Sequence, residues 1–239
     1  MPAAIRLSKL MAERGLCSRR EADRYIEMGG VRVDGAVVSV LGTRVLPHQK
    51  ITLSPEVAHL QAALATVVIN KPPGYVSGLP EKGYPSAVML VKSGNRQNRQ
   101  DAVPNRAGLA PAGRLDIDST GLIVFTQDGR IARQLVGSDH RMEKEYLVRF
   151  NGKIGKNTLG LLRHGLSLDQ KELKPADVVV LKDNLLRFVL TEGRKRQIRR
   201  MCQLVDLQVT GLKRIRIGRV RLGNLKQGQW RLLRRDERF

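Results

Sequence analysis

Apolar residues in this chain come in short runs, and that limits the elements it can build. Val67-Val68-Ile69 and Leu122-Ile123-Val124-Phe125 suit buried strands, and no apolar run reaches the length a membrane helix needs. Residues 66–70 end at Lys71-Pro72-Pro73-Gly74, a turn signal. From residue 122 onward, strand patterns at 122–126, 146–148, 178–181, 185–190 and 209–217 alternate with helical ones. The helical patterns lie at Ile131, Leu135 and Val136, at 159–163, and at 196–205. Lys182-Asp183-Asn184 predicts a hairpin between two of the strands. The pattern predicts an α+β domain on a mostly antiparallel sheet. Aromatics are only 4% of the chain, so its core rests on Leu, Val and Ile. Residues 78–110 turn polar and rich in Gly, Pro, Asn and Arg, which predicts a mobile loop, partly ordered around 87–91.

Residues 5–53 read as a separate compact α/β unit. Leu7, Leu10 and Met11 share one helical face. Ser18-Arg19-Arg20-Glu21 has capping-box spacing and opens a second helix that turns Ala22, Tyr25 and Ile26 inward, closed by Gly29-Gly30. Asp34-Gly35 between two short apolar runs predicts a hairpin, and 51–53 a further strand. Residues 54–65 lack a strand pattern and read as a linker. The chain therefore divides into residues 1–60 and 66–239.

Lys and Arg number 43 against 22 Asp and Glu, a net charge of +21. A compact chain so charged repels itself, and a polyanionic partner is the usual reason to tolerate that. The first eight residues lack the apolar core of a secretion signal, which predicts a cytoplasmic protein without a membrane partner. Cys17 and Cys202 stand far apart, and His48, His59, His140 and His164 are scattered, so no metal site or disulfide framework is predicted. Both cysteines read as small core hydrophobes.

The outward face of the two N-terminal helices carries Arg6, Lys9, Arg14, Arg19, Arg20 and Arg24, with fewer acids between them. Two short helices, a hairpin and this basic surface resemble the S-four type RNA-binding domain. A longer string follows: Gly113-Arg114-Leu115-Asp116-Ile117-Asp118-Ser119-Thr120-Gly121, then the apolar strand, then Gln127-Asp128-Gly129. It resembles the signature of the pseudouridine synthases of the small- and large-ribosomal-subunit type. Asn70-Lys71-Pro72-Pro73-Gly74, Glu143-Lys144-Glu145-Tyr146-Leu147-Val148 and Glu192-Gly193-Arg194-Lys195-Arg196-Gln197-Ile198-Arg199-Arg200-Met201-Cys202 resemble further motifs of that family. Within it, residues 18–27 and 197–202 are most similar to the RluF subgroup. Two departures stand out: the 78–110 stretch is longer and richer in arginine, and the sequence ends at Phe239 without the long basic extension of some members.

The resemblance implies an enzyme that isomerises uridine in RNA after flipping the nucleotide out of its stack. Its RNA would be ribosomal, from the large subunit by preference, with transfer RNA as a second substrate, and the protein a monomer. The reaction involves no redox change or group transfer, so no cofactor is expected. Asp116 matches the family's catalytic aspartate, which must be ionised, and Arg199 the basic partner that keeps it so. Tyr146 matches the aromatic that stacks on uracil and serves as acid or base. Arg114 matches the arginine that fills the gap left by the flipped nucleotide. Lys71, Arg196, Arg200, Arg19 and Arg20 complete the expected RNA-binding set. Asp118 is assigned to loop hydrogen bonding and Ser119 to turn structure. A non-catalytic ribosome-assembly factor would not need an aspartate, a tyrosine and an arginine at all three motif positions. A DNA-binding regulator lacks its helix-turn-helix, because the second helix runs into a hairpin.

Overall fold

The computed structural model describes residues 3–81, 83–137, 142–234 and 236–239; His140 lies outside them. In the N-terminal unit, α1 (Leu7–Glu13) and α2 (Arg19–Glu27) pack on a three-stranded antiparallel sheet of Ala36–Val38, Val31–Val33 and Ile51–Leu53. The capping box forms as its spacing predicts. Ser18 Oγ accepts from the Glu21 amide at 3.3 Å, and Glu21 Oε2 accepts from the Ser18 amide at 2.7 Å. Such a cap stabilises a helix start by about 1 kcal/mol. Leu7, Leu10, Met11, Ala22, Tyr25 and Ile26 meet Val31, Val33 and Val45 in one apolar cluster. Asp34 and Gly35 both take positive φ, as the tight hairpin requires.

The stretch expected to be a linker holds a helix instead, α3 (Pro55–Ala62). Ser54 caps it by accepting from the Val57 amide, and Pro55 sits in the first turn, where its missing N–H is no loss. Val57 is buried in the N-terminal core, and Gln61 donates to the Leu16 carbonyl at 2.8 Å. One buried position in eight residues leaves almost no periodicity to read.

The large sheet runs, edge to edge, Asp177–Lys182, Leu185–Leu190, Lys144–Asn151, Gln208–Ile217, Thr120–Thr126, Thr66–Lys71 and Trp230–Leu232. Val220–Arg221 and Ala110–Pro111 pair alongside it. Neighbours are antiparallel except Gln208–Ile217 and Thr120–Thr126, which meet in parallel at Lys213↔Thr120 and Arg214↔Gly121. Alternation along the strands divides two cores. Val67, Ile69, Ile123 and Phe125 face one, with Tyr146, Val148, Phe188, Leu162 of α5 (Thr158–Arg163) and the inner side of α6 (Gln197–Gln203). Val68, Leu122 and Val124 face the other, with Leu135 of α4 (Gly129–Val136). Burying each such side chain contributes about 1.5–3 kcal/mol. Cys17 and Cys202 are buried as expected, and burial pushes both thiols up to about 12, too far for nucleophilic use. No helix among the described residues is long and apolar enough to cross a membrane.

The order expected around 87–91 is present and extends further, so that much of the 78–110 segment is anchored rather than mobile. Ala87, Leu90 and Val91 are buried, Trp230 Nε1 donates to the Lys92 carbonyl at 2.8 Å, and the Gln97 amide donates to the Trp230 carbonyl at 2.8 Å. Leu79, by contrast, is 87% exposed.

The two units touch. Glu21 Oε1 accepts from the Gly129 amide at the start of α4 at 3.3 Å, Arg133 donates to the Ala12 carbonyl, and Arg130 donates to Gln61 at 3.1 Å.

Candidate active site

The loop 113–119 leads into the strand Thr120–Thr126 and is held by its backbone. Ser77 Oγ donates to the Leu115 carbonyl at 2.7 Å and accepts from the Leu115 amide at 2.8 Å. The Gly74 amide donates to the Ile117 carbonyl at 3.0 Å, and the Ser119 amide closes a turn onto the Asp116 carbonyl at 3.1 Å. Leu115 is thereby buried, while the Asp116 side chain is turned out and 33% exposed. Ser119 is buried within the turn, its Oγ without a partner among the described residues.

Two cations face this loop, in an arrangement that differs from the expected one. Arg199 was expected to pair with Asp116. It pairs instead with Asp118, Nη2 to Oδ2 at 3.1 Å, and also donates to the Asp118 and Val209 carbonyls. The cation beside Asp116 is Arg196, 4.0 Å from its Oδ2, which also reaches both oxygens of Asp118 at 3.3 and 3.2 Å. The cause lies in the backbone. Arg196 precedes α6 with φ 52°, a left-handed conformation, and so leaves the helix line that would carry it out with the solvated face. Asp118, expected only to hydrogen-bond within the loop, is therefore the centre of a carboxylate–guanidinium cluster. Burial alone would raise its carboxyl; the hydrogen bond from Arg196 and the charges of Arg199 and Arg196 outweigh that and hold it below the usual range.

Tyr146 lies on the strand Lys144–Asn151, almost fully buried, directly across from Arg214. The Arg214 guanidinium carbon is 6.0 Å from the ring centroid. Arg214 is 2% exposed and bonds to main-chain carbonyls, Nε to Leu122 at 2.7 Å and Nη1 to Arg114 at 3.3 Å. Its Nη2 is buried without a partner among the described residues. An orphaned donor of this kind calls for an explanation in any native structure. Gly121 makes the approach possible: at φ 101° it lies against the Arg214 backbone, where a Cβ would come within 2.2 Å of the carbonyl oxygen.

Lys71 corrects a second expectation. It was read as an RNA contact, yet it is fully buried, and its ammonium donates to the carbonyls of Pro72, Tyr75 and Ile117 at 2.9, 3.0 and 3.3 Å. Burial lowers it to about 8. Its work is to fasten the Pro72–Gly74 turn to the Asp116 loop. Arg200 also lies apart from the cluster, paired through both nitrogens with Asp169 at 3.0 and 2.7 Å. Arg114, Arg19 and Arg20 are exposed. Sequence reading passed over Arg214. The available signal was alternation, because Leu212 and Arg214 fall on the same face with Lys213 turned outward.

Residues 65–204 match the RNA pseudouridylate synthase family and residues 5–51 match the S4 domain. The chain is 35% identical to the dual-specificity RNA pseudouridine synthase RluF of Escherichia coli K12, over 98% of this chain and 77% of that protein. It is 31% identical to an RNA pseudouridine synthase of Aquifex aeolicus, over 98% and 92%. A crystal structure of a pseudouridylate synthase superposes with a TM-score of 0.66 at 28% identity, covering 96% of each chain.

Proposed function

The chain belongs to the RNA pseudouridine synthases, in the group that carries an N-terminal S4 domain, and on that premise we propose that it isomerises a uridine of ribosomal RNA by aspartate catalysis at Asp116. The observation that carries the reading is the setting of Asp116. It is a partly exposed carboxylate beside Arg196, on a loop tied through Arg214 to the strand of Tyr146.

In this mechanism the target nucleotide leaves its stack, and Arg114, exposed on the same loop, fills the gap. The C1′–N1 bond breaks with its electron pair going to uracil, and Asp116 bonds to or neutralises the electron-poor C1′. Uracil turns over Tyr146, C5 bonds to C1′, the C5 proton leaves and N1 gains one. The product is an isomer, so atoms and electrons balance without a cofactor. Residues 1–60 supply RNA affinity through the exposed Arg19 and Arg20, and residues 66–239 hold the chemistry.

Large-subunit ribosomal RNA is the favoured substrate and a transfer RNA the second. The support is the 35% identity with RluF, whose name records a dual specificity. The protein would act in the cytoplasm as a monomer. Asp116→Asn should bind RNA normally yet release no tritium from RNA labelled at uridine C5. Activity within about tenfold of the wild type would sink the assignment. Carbodiimide-dependent primer extension on ribosomal and transfer RNA, with and without the gene, would identify the nucleotide.

A further inference from the structure

Arg214 is a fully buried cation whose side-chain hydrogen bonds go to main-chain carbonyls. Taking a guanidinium out of water is costly, and an apolar side chain of similar size would fill the same space without that cost. Its position shows what the cation does there. The Arg114 carbonyl lies at the start of the catalytic loop and the Leu122 carbonyl just past its end, and one guanidinium bridges both. The Arg214 backbone packs against Gly121 in the parallel contact of the two strands. Across the antiparallel contact its guanidinium faces the ring of Tyr146. Asp116 lies on the loop before one strand and Tyr146 lies on another, and Arg214, on the strand between them, bonds to the Asp116 loop at Arg114 and faces Tyr146.

We propose that Arg214 is a positioning residue of the isomerisation, holding both ends of the Asp116 loop and the Tyr146 ring in one register. Carboxylate and aromatic then reach the same nucleotide. This rests on the reading of Asp116 and Tyr146 given above. A misplacement of about 1 Å at a reacting group can cost about 100-fold in rate, whereas RNA affinity, spread over distant phosphates, would hardly change.

The experiment compares Arg214→Met, Arg214→Lys and Asp116→Asn in the full chain, using RNA labelled with tritium at uridine C5 that the wild-type protein turns over. Affinity, single-turnover rate at saturating protein and melting temperature are measured for each. Arg214→Met should slow the single turnover by about 100-fold with affinity within about threefold. Arg214→Lys, which keeps the charge but offers one nitrogen where the guanidinium reaches the two carbonyls with separate nitrogens, should fall between. A Met variant with wild-type rate, or one whose rate falls only as its folded fraction falls, would overturn the proposal. If the Met variant does not fold, the Lys variant decides, and a wild-type rate there overturns it equally. Asp116→Asn separates the two ideas. If it is active, the reading of the site fails; if it is silent while both Arg214 variants turn over normally, only the role of Arg214 fails.

Discussion

Arg196 keeps a left-handed backbone, which costs an arginine about 1–2 kcal/mol, and its side chain lies over two carboxylates. Asparagine tolerates that conformation but carries no cation. Arg196→Asn should therefore melt at or above the wild-type temperature while its single turnover falls by about tenfold. Acid tolerance should shift as well. The lowered Asp118 carboxyl contributes stability that is present above the ordinary carboxylate range and lost as pH falls through its lowered value. Without the Arg196 hydrogen bond that value rises toward the ordinary one, so the acid loss should be smaller and should end at a higher pH. Wild-type turnover with an unchanged acid limb would show that Arg196 merely faces solvent. Asp116 and Tyr146 stood out in the sequence as candidates because each sits in a recognisable string. The partner of Asp116 did not, because residues 196 and 199 are both arginines on adjacent turns and only the backbone at 196 decides which one reaches it. Burial, which no single residue announces, hid the settings of Lys71 and Arg214.

Elements show the same division. Strands with both faces covered were plain from their apolar runs, and α2 from its capping box. α3 and the anchored parts of 78–110 outside 87–91 were not, because they are held by a few contacts to distant segments rather than by an apolar stripe of their own. The contact between α2 and α4 belongs to this class, and Gly129 is its test. A Cβ there would lie 2.3 Å from both Ser18 Cβ and Glu21 Oε2. Serine Cβ cannot swing away, so α2 must shift off α4, and overpacking of this kind costs about 1–3 kcal/mol. Gly129→Ala should lower the melting temperature and speed hydrogen exchange at the amides of α2. Exchange as slow as in the wild type would mean that the two units do not depend on this contact.

At the scale of the whole molecule the question is where a net charge of +21 meets RNA. Removing residues 1–60 would be a crude probe, since the cut falls inside α3 and strips α4 of its partners Ala12 and Glu21. Arg19 and Arg20 offer a finer one. Both are exposed in the first turn of α2, where the helix dipole disfavours cations by about 0.3–1 kcal/mol each. A phosphate partner reverses that sign, because helix starts and guanidinium groups both favour anions. Neutralising the pair in Arg19→Gln, Arg20→Gln should therefore leave the protein equally stable or slightly more so, yet weaken its RNA binding. Each lost phosphate contact reduces the slope of log affinity against log salt by about 1, so the slope should fall by about 2. The single-turnover rate at saturating protein should stay at the wild-type value, since neither side chain belongs to the Asp116 cluster. An unchanged slope would assign these two arginines to solvent and leave the catalytic domain to hold the RNA alone.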